Sequence, residues 1–75
     1  MKEEYEKYIN DILSKIEDNQ YWINSYSNKA AAFVNEPEQY WTRSYLEKIK
    51  VLHAENSKLK ILSKITLNEW IETNS

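Results

Sequence analysis

Glycine and cysteine are both absent from the 75 residues, and proline occurs once, at Pro37 near the midpoint. Without glycine the chain lacks the usual residue for backbone conformations with positive φ. The same absence rules out a Walker loop, a dinucleotide fingerprint and a Gly-x-Ser-x-Gly nucleophile elbow, each of which needs glycine in a tight turn. Without cysteine, disulfides, thiolate metal sites and Cys–His nucleophiles are excluded. The lone histidine, His53, cannot build a histidine-based metal site within one chain, and Lys50 occupies the position where a Glu-x-x-His motif needs its glutamate.

Long apolar runs are missing too. None approaches the roughly 18 residues of a membrane span. The start of the chain, Met1-Lys2-Glu3-Glu4-Tyr5-Glu6, is acidic and lacks the apolar stretch of a signal peptide. These absences lead us to expect a soluble, cytoplasmic, non-enzymatic chain with no cofactor, no metal and no membrane contact.

What is present is helical. From Tyr5 onward, residues recur at alternating spacings of four and three: Tyr5, Ile9, Ile12, Ile16, Asn19, Ile23, Tyr26, Ala30 and Phe33. This is a heptad seam with one polar interruption, widened by Tyr8 and Leu13. It predicts a helix over about 2–34, with a bend or fraying at the weak helix formers Asp18-Asn19-Gln20. Asn35-Glu36-Pro37-Glu38 then offers a capping residue, a proline suited to a first helical turn and an acidic residue beyond. A turn over about 35–37 and a second helix over about 37–65 follow.

The second helix carries a seam of Trp41, Tyr45, Ile49, Leu52, Asn56 and Leu59, with Val51, Leu62 and Ile65 extending the apolar surface to one side. Thr66-Leu67-Asn68-Glu69 matches a capping box, so either a short third helix covers about 67–73 or the long helix continues. A short connection makes the two long helices antiparallel. The predicted fold is therefore an all-α helical hairpin, one domain over 1–75.

A chain of this length sits near the lower limit for a self-sufficient core, and disulfides are unavailable to it. Self-association remains, and we expect a homodimer forming a four-helix bundle-like core. Asn19 and Asn56 lie at similar distances from the turn and either meet, across the core or a dimer axis, or reach the solvent edge. The net charge of −2 hides an asymmetry: residues 1–38 hold four Lys against eight acids, and residues 39–75 hold one Arg and five Lys against four Glu. The two halves should attract one another.

Ten aromatic residues are many for this length, and they carry the functional expectation. Tyr21 and Trp22, like Tyr40 and Trp41, are adjacent and about 100° apart on a helix, so both members cannot face one seam. At least one of each pair should be exposed or buried by another chain, as befits residues favoured at protein interfaces. This points to a small protein-binding regulator or inhibitor that occludes a host or cognate protein. Such proteins, anti-defence inhibitors among them, are often encoded by phages or mobile elements. Two alternatives stand beside it. Arg43, Lys50, Lys58, Lys60 and Lys64 lie on one broad face of the second helix and could meet DNA or RNA. The exposed aromatics could also join identical copies into an assembly.

Overall fold

The computed structural model describes residues 2–74, and their side chains from 3 to 73. Two helices make up almost all of it: α1, Lys2–Ala32, and α2, Tyr40–Asn74. They form an antiparallel hairpin whose Cα trace measures 59 × 15 × 12 Å.

The first seam lies where its spacing predicts. All nine positions from Tyr5 to Phe33 are buried or half-buried, with Ile12, Asn19, Ile23 and Ala30 the most enclosed. α1 runs without interruption through Asp18-Asn19-Gln20, contrary to the expected fraying. Burying Asn19 against α2 recovers what that stretch loses in helix propensity. Tyr8 and Leu13 do not join the core; they remain 47% and 44% exposed.

The connection corrects the predicted turn. It spans 33–39, and Pro37 lies in a bend rather than in a first helical turn. α1 closes with tightened bonds, Phe33 N donating to the Ala30 carbonyl at 3.2 Å and Val34 N to the Ala31 carbonyl at 3.3 Å. Proline disfavours α conformation at Glu36, and α2 begins at Tyr40. Gln39 takes the capping position instead. Its carbonyl accepts from Arg43 N at 3.0 Å, and its side-chain amide donates to the Val34 and Glu36 carbonyls at 3.0 and 2.6 Å. No described residue has positive φ, so this connection needs no glycine.

α2 also departs from expectation in its second half. It continues through Thr66 to Asn74, so the described residues contain no third helix. Its inward residues are Thr42, Tyr45, Ile49, Leu52, Asn56, Leu59, Ser63, Thr66 and Trp70, again spaced three and four. Ser63 and Thr66 thus take core positions, while Leu62 and Ile65 stay 38% and 51% exposed.

The reason is register. Counted outward from the connection, Ile12 stands level with Ser63, Ile9 with Thr66 and Ala30 with Tyr45. A small residue opposite a large one fills a layer between two closely packed helices. Thr66 meets the demand of its buried hydroxyl locally, donating to the Leu62 carbonyl at 2.8 Å.

The middle of the hairpin is polar. Asn19 and Asn56, each 3% exposed, meet inside it, Asn19 Nδ2 donating to Asn56 Oδ1 at 2.9 Å. Asn19 Nδ2 also donates to Glu55 Oε1 at 3.0 Å, and Asn56 Nδ2 to the Ile16 carbonyl at 3.4 Å. Lys15 Nζ lies 3.8 Å from the same Glu55 oxygen. Buried amides paired at one level penalise every slipped register, because a slip strands both of them in apolar surroundings.

Candidate functional site

Seven of the ten aromatic side chains gather toward the connected end of the hairpin, where a large ring in α1 can meet one in α2. Tyr26 stacks on Tyr45 with centroids 5.7 Å apart, and Tyr45 continues to Phe33 at 6.2 Å and Trp41 at 6.4 Å. Phe33 and Trp41 close the group at 6.4 Å. Two exposed arms extend from it. Trp22 packs against Tyr26 at 5.8 Å and carries Tyr21 edge-on at 5.3 Å, while Trp41 carries Tyr40 edge-on at 5.1 Å. The seven rings form one connected network across both helices. Ring pairs at these separations gain from their quadrupoles as well as from area.

Two cations border this network. Lys29 Nζ stands 5.9 Å from the Tyr26 and Tyr45 centroids, and Lys48 Nζ stands 5.5 and 5.8 Å from the same rings. Both lie within cation–π range.

The outer rings meet solvent. Tyr21 is 66% exposed, Trp22 46%, Tyr40 65% and Trp41 53%. Both members of each adjacent pair are therefore open, where the 100° argument required only one. Three shallow grooves run among them. One, about 560 Å³, lies between the helices and is lined by Lys15, Trp22, Tyr26, Lys48, Val51 and Leu52 among others. A second, at the tip, is bounded by Phe33, Glu36, Pro37, Glu38 and Trp41. The third runs from Pro37 and Glu38 past Tyr40 to Arg43 and Lys48. The tip thus presents aromatic faces beside two carboxylates.

The lysine face is placed differently. Arg43, Lys50, Lys58, Lys60 and Lys64 are all exposed along α2, over about 32 Å of helix length. Lys50 is paired to Glu47 at 3.5 Å, and Ala54 and Ile61 run down the middle of the same face. His53 is exposed beside it. The cations form a discontinuous row rather than a concentrated patch.

Two features were not legible from composition. The contact between the two arms of the aromatic network depends on Tyr26 and Tyr45 facing each other across the hairpin. The tip grooves depend on α2 starting three residues later than Pro37 suggests. Among the described residues, no group of three or more His, Asp or Glu side chains is placed to hold a metal ion. No described helix is long and apolar enough to cross a membrane. No family model matches the chain, and neither a curated protein nor a solved structure matches it.

Proposed function

We propose that this chain is a small non-enzymatic regulator or inhibitor that docks on a partner protein through the acidic and aromatic tip of its hairpin. The observation that carries the reading is the pair Tyr40 and Trp41. These rings are 65% and 53% exposed, yet Trp41 packs against Phe33 and Tyr45 from behind. An exposed ring already held in place loses little side-chain entropy on binding, which suits an anchor. Glu36 and Glu38 beside it favour a partner whose pocket is apolar with a basic rim. Tyr21, held edge-on by Trp22, extends the same network along the hairpin and would widen the contact.

Occlusion is the mode that fits a rod whose grooves at the tip are shallow and open. Its tip fills a site on the partner while its length blocks approach from one side. A phage or mobile-element protein acting on host machinery would need nothing more elaborate.

The test compares affinity capture from nuclease-treated host lysate by the parent chain with capture by Trp41→Ala and Tyr40→Ala variants of unchanged helicity. One stoichiometric protein held by the parent, and lost on truncating an anchor at a cost of about 2 kcal/mol or more, supports the reading. Normal capture by both variants refutes it. If the parent instead retains added DNA or RNA and replacing Lys50, Lys58 and Lys64 abolishes that retention, the DNA- or RNA-associated reading takes its place.

A further inference from the structure

Apart from the tip, one long flank of the hairpin carries five exposed large apolar side chains among its charges. Its position follows from the Lys15–Glu55 ion pair, which crosses between the helices there, and from the groove shared by Trp22 and Val51. One heptad before Lys15 lies Tyr8, and one heptad after Glu55 lies Leu62. Two heptads after Val51 lies Ile65. Tyr8 is 47% exposed, Trp22 46%, Val51 64%, Leu62 38% and Ile65 51%. We infer that this flank is the seam of a homodimer, covered by a second copy of the chain with its tip at the same end.

Three observations favour a second copy. The first is area. A compact monomer of 9.0 kDa exposes about 4,900 Å² by size scaling, whereas this chain exposes 5945 Å². The excess, roughly 1,000 Å², is at least the approximately 800 Å² that each partner of a stable interface covers.

The second is the core. Its buried members are Ile12, Ile23 and Ala30, alongside the polar Asn19, Asn56 and Thr66. So thin a core calls for a cover that is available whenever the chain is made, and only another copy meets that condition.

The third is charge. On this flank α1 carries Asp11 and Asp18, spaced by one heptad beside the Tyr8, Lys15 and Trp22 row, and α2 carries Lys48 and Lys58. A two-fold axis along the hairpin lays α1 of each copy over α2 of the other. Asp18 then stands within one residue of the level of the partner's Lys58, and Tyr8 within two of the level of the partner's Ile65. Asp18 and Lys58 have no ion pair among the described residues, so both are available. An axis across the hairpin would instead set the acidic row of α1 against itself, which like charges oppose. Tyr21 lies about 100° around α1 from Trp22, and Tyr40 lies about 16 Å along α2 from Val51, so the dimer leaves the tip open to a different protein.

Sedimentation equilibrium on the full chain tests the seam. The parent should run at twice 9.0 kDa at micromolar concentration, and the Leu62→Glu/Ile65→Glu variant as a monomer. Should that variant lose its helical signal, the charge pair decides. Asp18→Lys and Lys58→Asp should each weaken the dimer by about tenfold, and their combination should restore it. A fluorophore on Asn35→Cys, in a chain with no other cysteine, reads the orientation. Two labels should lie much closer than the 59 Å length of the rod. A monomeric parent at about 100 µM, near the concentration of a weak complex, overturns the inference. So does a dimer indifferent to both sets of substitutions, or a pair of labels a full rod length apart. Tyr40→Ala should leave the mass unchanged, so the dimer and the tip reading can fail independently.

Discussion

Replacing Asn19 and Asn56 by leucine, singly and together, should change the sign of the effect on stability. In Asn19→Leu the hairpin loses the bonds to Asn56 Oδ1 and Glu55 Oε1 and leaves a 3%-exposed Asn56 amide without its donor. Two net hydrogen bonds are worth about 2 kcal/mol, and the stranded oxygen costs about 1–3 kcal/mol more. Burying a leucine returns about 2 kcal/mol, so the single variant should lose about 1–3 kcal/mol. In the double variant no amide is stranded. Three hydrogen bonds, about 3 kcal/mol, are exchanged for two buried leucines, about 4 kcal/mol, so stability should rise by about 1 kcal/mol. The double variant should also lose specificity, because a leucine layer no longer penalises a slip by one heptad. Urea unfolding followed by circular dichroism, at one fixed protein concentration, gives both free energies. Near-neutral single variants, or a double variant as unstable as the two singles summed, would refute the claim that the amides pair inside the hairpin.

Two further outcomes follow from burial and backbone. Ile23→Ala, at a position 4% exposed, should destabilise by about 2–4 kcal/mol in the same assay, whereas Ile61→Ala, at 63% exposed, should stay within about 0.5 kcal/mol. Pro37→Ala should cost about 0.4–1 kcal/mol by loosening the unfolded chain, with helicity at 222 nm unchanged. A clear gain in helical signal would mean that proline alone keeps α1 and α2 apart.

Much of this molecule can be read from its spacing. A four-three repeat carried from Tyr5 to Phe33 defines α1 and its inward face, because side chains at that spacing project along one line of a helix. The lone proline between two such repeats marks the reversal, since a fixed φ and a missing amide hydrogen interrupt helical bonding. The exposed aromatics were legible for a simple geometric reason: adjacent rings cannot share one stripe.

Tertiary structure decided the rest. Taken alone, α2 offers Leu62 and Ile65 to the core more readily than Ser63 and Thr66, for they are the more apolar residues. Which pair turns inward depends on how α2 is turned against α1, and the phase held by Ile49, Leu52, Asn56 and Leu59 brings Ser63 and Thr66 opposite Ile12 and Ile9. The buried bond between Asn19 and Asn56 has the same origin, since neither amide carries any local sign of its partner thirty-seven residues away. Packing couples positions that are remote along the chain, and a pattern read along one helix is blind to the volumes on the other.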